Sequence, residues 1–399
     1  MKILVINCGS SSLKYQMFDM EKEEVMAKGL VERIGISGSR IEQEAGEKEF
    51  EQETDIPNHE KAISLVFDAL TDNDHGVLES VDEIAAVGHR VVHGGEKFTS
   101  STLIDEDVVE AVRANIPLAP LHNPANIQGI ESCQKLLGDD VPQVAVFDTA
   151  FHQTMPAHNY IYALPYELYT EDGVRRYGMH GTSHDFITRR TAELLGKPVE
   201  EVNLITCHLG NGSSLTAVVN GKSQNTSMGL TPVDGVPMGT RSGIIDPGII
   251  PFLERQKGMD TDAIDHLINK ESGVLGISGK SSDFRDLEQG AEEGDERCQL
   301  ALDIFHARVR GMIGSYAVEM GNRIDAIVFT GGIGENGALN RAGICDGLEI
   351  IGAVIDEEKN SVRKPKEKVI STDDSKVKIM VVPTDEELMI ARDTQALVK

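Results

Sequence analysis

Among the five cysteines of this 399-residue chain, Cys8, Cys133, Cys207, Cys298 and Cys345, there is no C-x-x-C pair, and their number is odd. A disulfide framework and a zinc ribbon are both disfavoured, and a reducing, cytoplasmic setting fits. H-E-x-x-H is missing too: His180 and His184 stand four apart, but the intervening Gly181 is a poor helix residue, so the pair does not read as a zinc site. The Walker pattern G-x-x-x-x-G-K-[ST] is absent. No apolar run approaches membrane-spanning length, and Ile3 to Ile6 is too short for a signal-peptide core. Positive charge is scarce, 38 Lys and Arg against 65 Asp and Glu, giving a net charge of −27 and a pI near 4.8. That balance argues against nucleic acid or an anionic membrane as partner. An anionic substrate would need local cations. Flexible linkers and low-complexity segments are also lacking, while the length suffices for two domains with substantial cores.

What the chain does have is a recurrent strand and glycine-turn pattern, clearest at residues 202–219, VNLITCHLGNGSSLTAVV. Leu204 to Cys207 reads as a buried strand, Gly210-Asn211-Gly212-Ser213-Ser214 breaks it, and Leu215 to Val219 resumes β-type alternation. Glycines admit an anion close to the backbone, and the turn amides with the Ser213 and Ser214 hydroxyls are expected to donate to phosphate oxygens. Taken alone, the segment could equally be a hairpin whose Asn-Gly supplies positive φ. The pattern recurs where Ile3 to Ile6 enters Asn7-Cys8-Gly9-Ser10-Ser11-Ser12 and a returning strand, and where Ala326 to Phe329 enters Thr330-Gly331-Gly332-Ile333-Gly334-Glu335-Asn336-Gly337. Repetition across some two hundred residues suggests a duplicated domain with nucleotide held between its halves. The last copy also fits G-x-G-x-x-G, but a dinucleotide reading would leave the two earlier hairpins without a role.

Along the chain, residues 25–34 and 40–54 read as strands, the latter with a solvated acidic rim from Glu42 to Glu53. Residues 58–70, 105–114, 125–137, 260–270 and 298–320 read as helices. Arg90 and Asp148 each follow a buried strand, at the carboxyl edge where ligands gather; a surface ion pair and a helix cap are the plain alternatives. His180 stands just before a helix, where a neutral imidazole is favoured. Residues 228–241, rich in Gly and Pro, deliver Pro232 and Arg241 without regular structure, and Ser281 to Arg285 reads as a polar loop. Thr384 and Glu387 have capping-box spacing, which would occupy Glu387 and leave Glu386 for a metal.

Together, residues 7–14, 90–95, 147–152, 177–184, 208–214, 283–285, 331–336 and 384–388 resemble the acetate kinase family over essentially the whole chain. That family belongs to the acetate and sugar kinase, Hsp70 and actin superfamily. The resemblance implies an α/β fold of duplicated ribonuclease H-like, actin-like ATPase domains with mixed sheets and nucleotide in the interdomain cleft. It places one domain at 1–150 plus 385–399 and the other, with the nucleotide loops, at 151–384. It implies reversible phosphoryl transfer between ATP and acetate, giving ADP and acetyl phosphate, within acetyl-CoA metabolism, with Mg²⁺ (or Mn²⁺) and in a homodimer. Carried over by position, Arg90 and Arg241 hold acetate and stabilise charge, His180 donates to the transition state, and Asp148 is the active-site carboxylate. Asn7 and Glu386 match the metal positions, and Val92, Leu121, Met179 and Pro232 the methyl pocket. Lys14, His208, Leu209, Gly210, Asn211, Gly212, Asp283, Phe284, Arg285, Gly331, Gly332, Ile333, Gly334 and Glu335 match the nucleotide contacts. Two positions depart from the family pattern: Met179 stands in place of phenylalanine and Asp385 in place of asparagine.

The chemistry suits this cast. A carboxylic acid arrives ionised at neutral pH and needs no strong base, so catalysis reduces to positioning and charge neutralisation of an in-line transfer. The alternatives are a propionate or butyrate kinase on the same scaffold, and a non-enzymatic ATP-driven switch of the Hsp70 or actin kind. A switch would keep the phosphate hairpins without requiring Arg90, Arg241 and His180 to converge.

Overall fold

A computed structural model describes residues 1–120 and 122–399. The chain divides into two compact units, Met1–Gln153 with Asp385–Lys399, and Thr154–Thr384. No helix among the described residues is long and apolar enough to cross a membrane. All five cysteines are free and buried.

The first unit is built on strands β1 (Lys2–Cys8), β2 (Ser12–Asp19), β3 (Glu24–Glu32), β4 (Arg40–Ala45), β5 (Lys48–Glu53), β6 (Ile84–Val91), β7 (Thr102–Leu103) and β8 (Gln143–Phe147). Their order in the sheet is β5-β4-β3-β2-β1-β6-β8-β7. β1 pairs antiparallel with β2 and parallel with β6, and β6 runs parallel to β8. Side chains alternate across a strand, so Leu4 and Ile6 pack with Ala62, Val66 and Leu70 of the helix His59–Thr71, whereas Ile3 and Val5 pack with Ile390 of the helix Glu386–Val398. Burial on both faces explains why Ile3 to Ile6 is continuously apolar. Helix Glu386–Val398 sits so close that a Cβ on Gly88 would meet Thr394 Oγ1 at 2.5 Å.

The second unit repeats the arrangement with β9 (Leu204–Leu209), β10 (Ser213–Val219), β11 (Lys222–Thr226), β12 (Ala326–Thr330), β13 (Lys368–Val369) and β14 (Lys378–Val381), in the order β11-β10-β9-β12-β14-β13. β9 is antiparallel to β10 and parallel to β12, and β12 is parallel to β14. The run β3-β2-β1-β6-β8-β7 in the first unit therefore has the same order and directions as the whole second sheet. That identity of topology is the duplication the repeated motif foretold. Ile205, Cys207 and Leu215 pack on Phe305, Val309 and Ile313 of the helix Glu296–Glu319. Thr206 and His208 alternate with them and meet the helix Gly181–Leu195 on the opposite face.

Three local expectations change. Residues 40–54 form two strands rather than one, turned at Gly46 with φ +64°. Asp283 is not mid-loop but the N-cap of helix Phe284–Glu292, its carboxylate accepting from the Arg285 amide. The third copy of the repeated motif does not return as a strand: β12 runs into the helix Gly331–Asn336. Gly331, at φ +75°, starts that helix, and a Cβ there would lie 2.7 Å from the Leu209 carbonyl oxygen.

Candidate active site

In the first unit the candidate residues stand at the carboxyl ends of β6 and β8. Arg90 donates from Nε to Asp148 Oδ1 at 2.9 Å and from Nη2 to Asp148 Oδ2 at 2.7 Å. Asp148 is 1% exposed, and its charge raises the Arg90 pKa above the ordinary value. The pair is not a surface ion pair, since the Asp148 side chain is 2% exposed and that of Arg90 24%. One edge of the guanidinium is thus committed to Asp148, and Asp148 acts as the orienter of Arg90. Beyond the strand, the Val92 amide donates to Asn126 Oδ1, and Asn126 Nδ2 in turn donates to the Cys8 carbonyl. Asn126 is a buried tie between the Arg90 segment and the β1–β2 hairpin that sequence reasoning missed, because its spacing resembles any helix-face residue.

On that hairpin Asn7 and Lys14 stand directly opposite, and the Gly9 amide closes the turn onto Ser12. Glu386 begins the helix Glu386–Val398, half-buried; burial lifts its carboxyl to about 7, Arg90 and Lys14 oppose the shift, and Asp148 and Glu387 add to it. Asn7 and Glu386 are hard oxygen donors, and a carboxylate so penalised would be relieved by a cation, so the pair fits a small divalent ion. No group of His, Cys, Asp or Glu among the described residues forms a complete cage, so further oxygens would come from a bound phosphate and water. The expected capping box is displaced by one residue: Asp385 is the N-cap and accepts from the Leu388 amide, while Thr384 accepts from Ser183 Oγ. Glu387 therefore makes no reciprocal cap.

In the second unit the turn between β9 and β10 is tight, with the Gly210 amide on the Gly212 carbonyl. The two serines do not face an anion as expected. Ser213 Oγ donates back to the Gly210 carbonyl, and Ser214 Oγ lies 2.9 Å from His180 Nδ1 and 2.8 Å from His184 Nε2. Both serines are fully buried and engaged within the protein, so neither hydroxyl is presented to an anion here. His180 caps the helix Gly181–Leu195 in the left-handed region at φ 59°, a strained setting for a non-glycine residue. Its ring stacks on His208 at 4.2 Å, and His208 Nδ1 meets Ser183 Oγ.

Residues 228–241 fold over this turn, the Gly239 amide donating to the Asn211 carbonyl. Arg176 fastens the loop by donating to the Thr226, Ser227 and Met228 carbonyls and pairing with Asp234, a role invisible in sequence because its partners are backbone atoms. Arg241 is half-buried, and desolvation lowers its pKa. A Cβ on Gly212 would stand 3.3 Å from Arg241 Nη1 and 3.6 Å from His180 Nε2, so both cationic or donor groups border the glycine turn. Met179 is buried at 3% exposure, Pro232 is half-buried, and Leu121 lies outside the described residues.

The remaining predicted nucleotide residues divide. Gly331 abuts Leu209, and Thr330 pairs in register with His208, which puts both glycine segments at adjoining carboxyl edges of β9 and β12. Glu335 folds back so that Oε1 accepts from the Gly331 amide. Ile333 packs into the core. Asp283 and Arg285 pair at 2.6 Å on the surface, which draws the Asp283 carboxyl down to about 2, whereas Phe284 is buried against Phe305 and offers no side chain to a ligand.

The chain matches the Acetokinase family over residues 2–392. A Clostridium botulinum acetate kinase is 58% identical over 397 residues, covering 100% of this chain and 99% of the relative. The crystal structure of Porphyromonas gingivalis acetate kinase superposes with a TM-score of 0.96 at 48% identity, covering 100% of both chains. A propionate kinase structure from Francisella tularensis gives 0.92 at 45% identity, covering 99% of each. On a match that runs through both units and all the residues just described, this chain belongs to the acetokinase family.

Proposed function

We propose that the chain catalyses reversible phosphoryl transfer between ATP and acetate, giving ADP and acetyl phosphate by direct in-line attack of the carboxylate oxygen on the γ-phosphorus. The observation that carries this reading is the convergence of Arg241 Nη1 and His180 Nε2 on Gly212 of the phosphate-type turn. Arg241 is half-buried, and burial lowers its pKa, so an anion bound beside it would offset that cost. Arg90, held by Asp148, supplies the second planar cation, and a donor at His180 would meet charge developing on the transferring group.

Asn7 and Glu386 would hold Mg²⁺, whose chemistry is neutralisation of phosphate charge. Lys14, the backbone from His208 to Gly212, the Asp283–Arg285 pair and the segment Gly331 to Glu335 would bind the nucleotide. Val92, Met179 and Pro232 would bound the methyl group, with Leu121 as a further wall. The reading extends to a cytoplasmic homodimer. Free buried cysteines support a reducing compartment, and exposed Ile244 and Phe252 in the second unit offer apolar surface to a second copy.

Mixing protein, ATP and Mg²⁺ with acetate, propionate or butyrate and trapping acyl phosphate with hydroxylamine tests the assignment. Acetyl hydroxamate should form fastest. No trapped product from any acid would refute phosphoryl transfer, and preferential trapping from propionate would move the chain to that substrate.

A further inference from the structure

Behind His180 lies a row of buried polar groups for which phosphate binding gives no reason. Ser214 Oγ touches His180 Nδ1 at 2.9 Å and His184 Nε2 at 2.8 Å, and His184 Nδ1 reaches Thr206 Oγ1 at 2.7 Å. Ser214, His184 and Thr206 are all 0% exposed. They come from β10, the helix Gly181–Leu195 and β9, so two strands and a helix converge to build the row.

A serine hydroxyl carries one proton, so it can donate to only one of the two ring nitrogens it touches. If it donates to His184, then a neutral His180 keeps its proton on Nδ1 and its Nε2 is an acceptor. If it donates to His180, then His184 supplies Nε2–H to Ser214, Thr206 donates to His184 Nδ1, and His180 carries its proton on Nε2. The second arrangement asks Thr206 to give up only a long 3.4 Å contact to the Thr216 carbonyl. It leaves the Nε2 edge, the one bordering Gly212 beside Arg241, as a donor.

We propose that Thr206, His184 and Ser214 form a hydrogen-bond chain that holds His180 as the neutral Nε2–H tautomer and aims it at the transferring phosphoryl group. Ser214 and His184 are positioning residues that act through His180. This inference rests on the kinase reading above and deepens it. A neutral donor in this place stabilises developing charge without binding the reactant anions more tightly beforehand. It is a second-layer constraint of the kind that governs tautomer choice wherever one imidazole nitrogen works and the other is tied.

The test is a double-mutant cycle with Ser214→Ala, His180→Ala and the combination, measured by acyl hydroxamate formation, alongside two-bond ¹⁵N–¹H spectra of histidine-labelled protein. Ser214→Ala should cut kcat about ten- to hundredfold, the scale of one lost buried hydrogen bond, with KM for ATP and acetate nearly unchanged. Serine to alanine should have little further effect once His180 is alanine, and the His180 signal should pass from a single tautomer to a mixture. Additive losses in the double variant, or an unaltered His180 tautomer in Ser214→Ala, would overturn the proposal. If His180→Ala alone leaves turnover intact, it is the catalytic role of His180 in the proposed function that fails, which the single variant reports separately.

Discussion

Arg90 and Asp148 meet through two parallel hydrogen bonds, Nε to Oδ1 at 2.9 Å and Nη2 to Oδ2 at 2.7 Å, with the carboxylate almost wholly out of water. Arg241 lies in the second unit with desolvation as the cause of its lowered pKa. The two arginines should therefore fail differently. Arg90→Ala strands a buried carboxylate and should cost roughly 3 kcal/mol of stability as well as orders of magnitude in turnover. Arg241→Ala should lose comparable turnover while the denaturation midpoint stays near that of the parent, because it removes a cation whose burial is itself unfavourable. Arg90→Lys should rescue poorly, since a single ammonium cannot span both Asp148 oxygens. Urea titrations with kcat measurements on each variant decide it, and equal stability losses would contradict the difference in surroundings.

The amino end of the last helix permits a second distinction. Asp385 accepts from the Leu388 amide, so Asp385→Ala should lower stability by about 1 kcal/mol, whereas Asp385→Asn should keep the cap. Glu387→Ala should be close to neutral, and Glu386→Ala should raise the Mg²⁺ needed for half-maximal rate. Thermal melts and Mg²⁺ titrations of the variants check the set. A large stability loss in Glu387→Ala would restore the capping box that the spacing suggested.

That displaced cap marks where sequence stops being sufficient. Thr384 and Asp385 are both good N-caps, and the choice falls to Asp385 because the Thr384 hydroxyl is engaged by Ser183, far away in the chain. Hairpins at Gly9 and Gly210 were legible because strand, turn and returning strand are local. The segment after β12 carries the same glycine signature yet turns into a helix, since Gly331 must pass close to the Leu209 carbonyl. Arg90 and Asp148 could be placed at strand ends from their flanking apolar runs, but not paired. Ser213 and Ser214 read as phosphate donors because nothing local shows that Gly210 and two histidines already engage them.

Acid should loosen the first unit through His89. It is 2% exposed, contacts Gln143 Oε1 at 2.7 Å, and burial holds its pKa down at about 4. In the unfolded chain an ordinary histidine takes up its proton near 6.5, so between these values the unfolded state binds more protons. Stability should therefore fall as pH drops from about 6.5 towards 4, by up to roughly 3 kcal/mol from this residue. His89→Gln keeps a hydrogen-bonding group without the titration, and Tm measured against pH should flatten in that interval. A slope identical to the parent would show that His89 is not the group responsible.

Substrate size offers the most discriminating experiment. Val92 lies two residues beyond Arg90 and just past the end of β6, and as a wall of the proposed methyl pocket it would limit the size of the acid that Arg90 holds. Its amide is fastened to Asn126, so shortening the side chain should change volume rather than the path of the chain. Val92→Ala removes two methyl groups from a residue that is 8% exposed. An added methylene is worth roughly 1–3 kcal/mol in an apolar pocket, so relieving a clash with it should raise the propionate-to-acetate ratio of kcat/KM by about tenfold. Met179→Ala, at a buried residue proposed to line the same methyl pocket, should raise the ratio in the same direction. The hydroxylamine assay run with both acids on parent and variants gives the ratio directly. An unchanged ratio in Val92→Ala would remove Val92 from the pocket, and a parent that already favours propionate would overturn acetate as the substrate.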